Sequence, residues 1–265
     1  MTRLEAKLIE QALYGLNQAN DYPEISIEVV DETGSTNADL MCRAKNLNTP
    51  TLLVARHQTA GKGRAGRRWV SSPDGVLTFS LAWEFAVGGQ ALLGLPLAVG
   101  VALAERLIQL GVPAKLKWPN DILKDSKKLA GILVESQTGN QGTCWAIIGV
   151  GLNLRVPAEL EKDIGQEVAD AAWLAQMDRN QLLAELIQAL QVALHEFALQ
   201  GFTAFVDRWN HLHAYAQQTV MIVEQAEVLH QGLALGVDHQ GCLLLQTEQA
   251  RLLIHSGDVS LRPLP

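Results

Sequence analysis

The 265-residue sequence is poor in cysteine, with Cys42, Cys144 and Cys242 widely separated along the chain. No two of them form a CxxC or CxxH spacing, so they do not indicate a zinc site. An odd, scattered set also argues against a disulfide framework and suits a reducing compartment. We therefore expect a cytoplasmic protein.

A long uninterrupted apolar segment is also missing. Arg3, Glu5 and Lys7 place charges where a signal peptide would have its apolar stretch. The most apolar run, residues 91–104, is interrupted by glycine and proline and then meets Glu105. It is shorter than the roughly 20 residues that span a bilayer. The sequence therefore predicts no contact with a membrane.

Positive charge is scarce overall, since the formal net charge is -7. This balance argues against nonspecific nucleic-acid binding as the main function. Apolar residues make up 48% of the chain and charged residues 18%, which excludes a disordered protein.

Against this acidic background, residues 61–69 form a glycine-rich basic segment, GKGRAGRRW. Glycines let backbone N–H groups approach an anion, and arginine can grip a phosphate or carboxylate with two hydrogen bonds. The segment predicts a loop that binds a phosphate-bearing ligand. A solvated basic hairpin loop is the alternative. With few contacts inside it, the loop is expected to be mobile without ligand.

The same segment spells GxGxxG, the dinucleotide-binding fingerprint, which requires a strand before it and a helix directly after it. Residues 51–55 fit a strand, but the turn signal of residues 71–75 and a strand-like run at 76–83 follow the loop. The sequence therefore argues against a Rossmann site. A kinase loop is excluded because no HRD or DFG segment occurs.

Periodicity predicts helices over residues 3–18, 36–44, 92–110 and 179–197, with short strands between them. After Trp209 the pattern changes to four short strands separated by glycine-containing turns. We expect a large domain over residues 1–215 and a small β-barrel over residues 216–265. The barrel alone would be marginally stable.

A second block, residues 115–123, reads KLKWPNDIL. Pro119 stops a strand and projects Asn120 and Asp121 at its end. The short connection to the next strand predicts a hairpin that places Asp121 near Lys128, although a surface ion pair would explain the two charges equally well. Alternate glycines in residues 149–153, GVGLN, indicate close approach of a ligand or a simple bulge.

Together these blocks resemble biotin–protein ligases. The matching motifs come in family order: STN at 35–37, QTAGKGRAGRRW at 58–69, KWPNDI at 117–122, KLAGIL at 128–133 and GVGLN at 149–153. The tail from residue 236 resembles that family's SH3-like C-terminal domain. The resemblance implies an α+β fold, in which a mixed, class II synthetase-like sheet flanked by helices precedes the barrel.

The resemblance also implies a two-step reaction. Biotin and ATP with Mg²⁺ first give biotinyl-5′-AMP and pyrophosphate, and a lysine of a biotin carboxyl carrier protein then takes the biotin. Lys128, Asp121 and Arg64 are the implied catalytic residues, with Asp121 also a candidate for holding metal. The implied substrate-binding residues are Ser35, Thr36, Asn37, Gln58, Gly61, Lys62, Gly63, Arg64, Arg67, Trp69, Asn120, Lys128, Gly131 and Asn153.

Two departures from the family pattern matter. Lys62 stands where the family usually has arginine, which keeps the charge but loses the planar fork. Only 34 residues precede Ser35, fewer than the roughly 40 of an independent domain, so we expect a monofunctional ligase that does not bind DNA. The alternatives are a lipoate or octanoyl ligase and a non-enzymatic biotin sensor. Either a monomer or a homodimer is compatible with the sequence.

Overall fold

The computed structural model describes residues 3–18, 22–73, 75–86, 92–139, 142–157, 161, 167–225, 227–257 and 259–264. The described helices are α1 (Ala6–Leu16), α2 (Thr36–Arg43), α3 (Leu95–Gln109), α4 (Arg179–Gln200) and α5 (Val206–Leu212). The strands of the larger sheet are β1 (Ser26–Thr33), β2 (Thr51–Gln58), β3 (Val76–Phe85), β4 (Lys115–Lys117), β5 (Asp121–Lys124), β6 (Lys127–Thr138) and β7 (Cys144–Asn153). The strands of the smaller sheet are β8 (Thr219–Glu224), β9 (Glu227–Val237), β10 (Leu243–Gln246), β11 (Arg251–Ile254) and β12 (Ser260–Pro263).

The larger sheet is mixed, with the strand order β1-β2-β3-β7-β6-β5-β4. Its first pair, β1 and β2, is parallel, and each of the other neighbouring pairs is antiparallel. The smaller sheet has the order β11-β10-β9-β8-β12 and is antiparallel throughout. Both the mixed sheet and the separate C-terminal β unit agree with the predicted architecture.

The helices divide between the two faces of the mixed sheet, which gives the larger, N-terminal unit three layers. On one face, α2 packs through Leu40 against a small cluster that includes Leu53, Trp145 and Ile147. On the other face, α3 and α4 form the main core, and α1 packs against α4. Because side chains alternate along a strand, every second residue of the central strands points to the α2 face.

Local signals account for the helix ends. Ser35 is the N-cap of α2 and accepts a hydrogen bond from the Ala38 amide, and Asp178 caps α4 through the amides of Asn180 and Gln181. The helix α3 starts three residues later than predicted, with a proline in its first turn, and stops just before Gly111, whose φ is 84°.

The structure differs from the predicted elements at two strands. Residues 121–124, expected to lie in a loop, form β5 between β4 and β6. The C-terminal unit has a fifth strand, β12, at residues 260–263, which the sequence pattern did not reveal. Both strands are four residues long and lie at or close to a proline, Pro119 or Pro263, which argues against a strand in the sequence.

One helical segment, Arg179–Leu212, is long and apolar enough to cross a bilayer by length and composition alone. Its α4 portion carries a buried stripe from Leu182 to Phe197 that packs against α1 and α3. The apolar character of this segment is therefore explained by its place in the core.

Candidate active site

A cleft of about 930 Å³ opens on the α2 face of the mixed sheet. Its walls are the N-terminus of α2, the glycine-rich loop, the β4–β6 hairpins and the edge of the C-terminal unit. All of the predicted site residues except Gly61 line it: Ser35, Thr36, Asn37, Gln58, Lys62, Gly63, Arg64, Arg67, Trp69, Asn120, Asp121, Lys128, Gly131 and Asn153. The tertiary structure thus gathers residues that are up to 118 positions apart (Ser35 to Asn153).

One end of the cleft is neutral and polar. The Thr36 amide donates a hydrogen bond to Gln58 Oε1 over 2.8 Å, and the Thr36 hydroxyl lies 2.7 Å from the Ser80 hydroxyl. Ser80 in turn donates to Asn37 Oδ1 over 2.6 Å. All four side chains are buried, so these hydrogen bonds fix their orientation.

The other end of the cleft is charged. Lys128 Nζ lies 2.6 Å from one oxygen of Asp121, and Lys117 Nζ lies 3.2 Å from the other oxygen. The predicted closeness of Asp121 and Lys128 is confirmed, and the hairpin that produces it joins β5 to β6, where Asp121 pairs with Gly131. The Asp121 side chain is 13% exposed and the Lys128 side chain 26%, so this is not a solvated surface pair.

The two lysines govern the ionisation of Asp121. Burial by itself raises the pKa of the carboxyl group, but the charges of Lys128 and Lys117 outweigh burial and hold the pKa below its ordinary value. Burial lowers the pKa of Lys117, with Arg262 and Lys128 acting in the same direction and Asp121 opposing them. Asp121 therefore stays anionic at neutral pH and is a weak proton acceptor.

The structure does not favour Asp121 as a metal ligand. Each of its oxygens already faces a lysine ammonium group, and a cation would have to displace one of them. Among the described residues, no group of three His, Cys, Asp or Glu side chains is placed to hold a metal ion. Mg²⁺ commonly keeps several waters and binds through substrate phosphates, so the residues here fit a metal that arrives with the nucleotide.

Trp69 lies across the middle of the cleft, on a floor of glycines. Gly131 and Gly151 are cross-strand partners in β6 and β7. A Cβ atom at Gly131 would come 2.9 Å from Trp69 Cζ3, and one at Gly151 would come 2.5 Å from Trp69 Nε1. The Lys128 ammonium group lies 5.5 Å from the centre of the indole ring, within range of a cation–π interaction.

The glycines of the GVGLN block make room for side chains. A Cβ at Gly149 would overlap the amide of Asn37, and one at Gly151 would overlap the indole of Trp69. The sequence suggested that a ligand approaches these glycines or that the strand bulges there. In the structure the register between β6 and β7 is unbroken, and Asn37 and Trp69 fill the space.

The glycine-rich loop is a narrow hairpin. Gly63 and Arg67 are joined by a backbone hydrogen bond of 2.7 Å, and Trp69 and Gly61 by one of 2.9 Å. Gly61 has to be glycine, because a Cβ there would meet the carbonyl oxygen of Trp69. The backbone therefore has the hairpin form that the sequence offered as an alternative. The expected mobility without ligand assumed few contacts within the loop, whereas these two hydrogen bonds hold its strands together.

Arg64 ties the tip of this loop to two other parts of the molecule. Its guanidinium donates to Asn120 Oδ1 over 3.3 Å and to the backbone oxygen of Ser256 over 2.6 Å, and it also contacts the Gly257 oxygen. These three acceptors are neutral oxygens. A charge-assisted hydrogen bond from Arg64 to an incoming anion would be stronger than any of these three.

Two predicted residues have structural partners in the cleft wall. The side-chain amide of Asn153, expected to contact nucleotide, donates to the backbone oxygens of Lys128 and Ala169. Asn120 donates to the Ile132 oxygen over 2.6 Å and accepts from Arg64. Both residues hold neighbouring segments in place.

The cleft also contains residues that sequence reasoning missed. The cleft is also lined by Ser80, Tyr215 and Lys117, and Glu135 contacts it through Asn37. Lys117 belongs to the KWPNDI motif, but the sequence did not single it out. Burial raises the pKa of the Tyr215 hydroxyl, with Asp121 adding to the effect and Arg262 opposing it. Only Ser80 left a signal, as one of two hydroxyl residues, with Thr78, in the otherwise apolar run of residues 76–83.

The C-terminal unit contributes Ser260, Arg262 and Pro263 to the cleft wall. The sequence left open whether Arg262 and Asp258 reach the ligand or only cap the barrel. Arg262 lines the cleft, whereas Asp258 lies outside the described residues. The two units therefore share one site.

Comparisons with known proteins agree with this arrangement. Residues 26–153 match the model of the Biotin/lipoate A/B protein ligase family, and residues 217–262 match that of the biotin protein ligase C terminal domain. The bifunctional ligase/repressor BirA of Escherichia coli is 34% identical over 246 residues, which cover 89% of this chain and 74% of BirA.

For two further proteins, the similarity to this chain extends over nearly their full length. The biotin--[acetyl-CoA-carboxylase] ligase of Mycobacterium tuberculosis is 33% identical over 242 residues, 88% of either chain. The solved structure of the Aquifex aeolicus biotin protein ligase with biotin and ATP has a TM-score of 0.73 at 28% identity. It covers 90% of this chain and 99% of its own. The chain therefore belongs to the biotin protein ligase family.

Proposed function

We propose that this protein activates biotin with ATP and transfers the biotinyl group to a lysine of a biotin carboxyl carrier protein. One observation carries the proposal. A single cleft has a neutral hydrogen-bonding end at Thr36 and Gln58 and a cationic end at Lys128. Biotin has the same division, with a neutral ureido ring at one end and a carboxylate at the other.

In the first step, an oxygen of the biotin carboxylate attacks the α-phosphorus of ATP, and the bond to the pyrophosphate leaving group breaks. Negative charge accumulates on the phosphoryl oxygens as this happens. Lys128 is placed to stabilise that charge, and Asp121 holds its ammonium group at the floor of the cleft. Arg64 and Arg67 would close over the same anion from the loop side.

In the second step, the amine of the carrier lysine attacks the carbonyl carbon of biotinyl-5′-AMP, and AMP leaves. The adenylate hydrolyses if water reaches it, so the loop over residues 61–69 has to stay closed until the carrier arrives. Trp69 offers a flat surface for the adenine ring. Stacking of adenine on Trp69 would hold the nucleotide in the cleft until the carrier arrives.

The finer features of the function are also proposals. Mg²⁺ would enter with the phosphates of ATP, because both carboxylate oxygens of Asp121 are already paired with lysines. In the described part of residues 3–34, α1 and β1 pack into the unit that contains the mixed sheet. The three cysteines are unpaired, which supports action in the cytoplasm. Monomer and homodimer both remain compatible with the fold.

The proposed function is tested by incubating the purified protein with ATP, Mg²⁺ and biotin and measuring pyrophosphate release and biotinyl-5′-AMP by mass spectrometry. Adding an unmodified carrier domain should then produce a biotinylated carrier, whereas a carrier with its target lysine changed to arginine should stay unmodified. Adenylate formation with lipoate in place of biotin would identify a lipoate-type ligase. Biotin binding without pyrophosphate release would identify a sensor.

A further inference from the structure

Behind the neutral end of the cleft, Glu135 contacts the substrate-facing residues from the rear. Asn37 donates from Nδ2 to Glu135 Oε2 over 2.8 Å, and Asn37 Oδ1 accepts from Ser80 over 2.6 Å. Asn37 and Ser80 line the cleft, but Glu135 does not, because it lies on the side toward the glycine-rich loop. The hydrogen bond to Asn37 therefore links Glu135 to the neutral end of the cleft.

The contact with Glu135 decides how the amide of Asn37 is turned. An ionised carboxylate only accepts hydrogen bonds, so the amide must direct its NH₂ group at Glu135 and its oxygen at Ser80. The amide of Gln58 is fixed in a similar way, because Oε1 accepts from the backbone N–H of Thr36 over 2.8 Å. Two carbonyl oxygens thus stand at the ends of the network with their orientation determined.

Between these two oxygens lie the hydroxyl groups of Ser80 and Thr36. The three successive oxygen–oxygen contacts are 2.6 Å from Asn37 to Ser80, 2.7 Å from Ser80 to Thr36 and 3.1 Å from Thr36 to Gln58. Two hydroxyl groups supply only two hydrogens for these three contacts. One contact therefore lacks a hydrogen, and the network has an excess of acceptors.

A ligand that brings an N–H group to this end of the cleft can donate to a lone pair that these oxygens leave free. A ureido ring carries two such groups, whereas the dithiolane ring of lipoate carries none. We propose that Glu135 and Ser80 are positioning residues that fix this acceptor-rich pattern, and that the pattern selects a cyclic urea as the substrate's polar ring. This inference rests on the proposed function and explains its preference for biotin.

The surrounding backbone is built to hold this arrangement. A Cβ atom at Gly149 would come 2.9 Å from Asn37 Cγ, so the amide lies where it does because residue 149 has no side chain. The residues of the network come from two central strands, from the end of β2 and from the first turn of α2, which are rigid elements. Ser80 is fully buried and has no solvent to replace its partners.

The test compares Glu135→Ala and Glu135→Gln with Glu84→Gln. The Glu84→Gln variant removes the same charge as Glu135→Gln, from a carboxylate that also accepts one side-chain hydrogen bond, from Thr143. Glu84 lies near the end of β3 that is farther from Ser80 and the cleft, so this variant is the matched control. Pyrophosphate release is measured with biotin, and with a biotin analogue in which oxygen replaces one ureido N–H. The Michaelis constants for biotin and for ATP are determined separately, together with the thermal midpoint of each variant.

Glu135→Ala should raise the KM for biotin about tenfold, the usual effect of losing a hydrogen bond to a charged group, and leave the KM for ATP within about twofold. Its preference for biotin over the analogue should fall by a similar factor. Glu135→Gln should recover part of both, because its side-chain oxygen can still accept from Asn37. Glu84→Gln should match the wild type.

If Glu135→Ala raises the two Michaelis constants equally, or leaves the preference for biotin unchanged, the inference is overturned. The proposed function is judged separately, by the activity of the wild-type protein. A wild-type protein that makes no biotinyl-5′-AMP would overturn both. If Glu135→Ala does not fold, Ser80→Ala provides the same comparison, because it removes one hydroxyl from the network without removing a charge.

Discussion

Replacing Gly151 by alanine tests the arrangement of Trp69 most directly. The position lies in the middle of β7, and Gly151 is not among the residues with positive φ, so the backbone itself accepts alanine. The added methyl group would lie 2.5 Å from the indole nitrogen and closer still to two ring carbons. Either the strand or the indole has to move.

The magnitudes indicate which one moves. Overpacking a fixed core costs about 1–3 kcal/mol, and replacing glycine within a strand returns only about 0.5–1 kcal/mol. The strand is held by β6 and β3 on both sides, whereas the Trp69 side chain is only half-buried at the cleft. We therefore expect the indole to leave the glycine floor, with little loss of fold stability.

Displacing the indole removes the surface proposed for adenine. Stacking of a base on an aromatic side chain contributes about 1–3 kcal/mol, which corresponds to an increase of roughly 5- to 150-fold in the KM for ATP. The KM for biotin should change much less. Pyrophosphate release at varied ATP and varied biotin measures both constants.

Gly149→Ala is the matched control, because it makes the same substitution two residues away on the same face of β7. Its methyl group would meet Asn37 and not Trp69, so it should raise the KM for biotin and spare the KM for ATP. If both variants raise the same constant, or if Gly151→Ala leaves ATP binding unchanged, Trp69 is not the adenine surface.

The remaining predictions concern the charged residues and one buried histidine. Lys128→Ala should lower the rate of adenylate formation at least 100-fold at an unchanged thermal midpoint, because Asp121 keeps Lys117 as a partner; pyrophosphate release measures it, and near-normal release would refute the role. Arg64→Ala should free the loop from the C-terminal unit and release biotinyl-5′-AMP, detected as a several-fold increase in biotin on unrelated lysines, and labelling confined to the carrier would contradict this. Lys62→Arg should restore a bidentate donor and slow adenylate leakage, and an unchanged leakage rate would refute the reasoning. His213→Phe should flatten the pH dependence of unfolding between pH 7 and pH 5, measured with urea.

The direction of the last effect follows from where His213 lies. Its ring is 4% exposed and neither nitrogen has a hydrogen-bond partner among the described residues, and burial lowers its pKa from 6.5 to about 4. The unfolded chain binds a proton near pH 6.5 and the folded chain does not, so stability falls as the pH is lowered through this range. The loss attributable to His213 is about 2 kcal/mol at pH 5. An unchanged slope in the variant would show that other groups cause it.

Much of the fold could be predicted because its signals are local. The stripe of leucines behind Asp178, the strand-like run of residues 76–83 and the glycine after α3 each depend on residues a few positions apart. The pairing of Asp121 with Lys128 was predictable for the same reason, since one tight hairpin joins them. The short strands β5 and β12 were missed because each lies at or close to a proline, Pro119 or Pro263, which argues against a strand.

The sequence by itself determined most of the elements, their order and the family motifs that mark the cleft, because spacing along the chain carries that information. The tertiary structure alone decided what those motifs contact. Glu135 reaches Asn37 across 98 positions, and Arg64 reaches Ser256 across 192. The glycines of β7 accommodate Asn37 and Trp69, which come from an earlier helix and loop. Contacts between distant segments depend on how the sheet orders its strands, and that order is set only when the whole core packs.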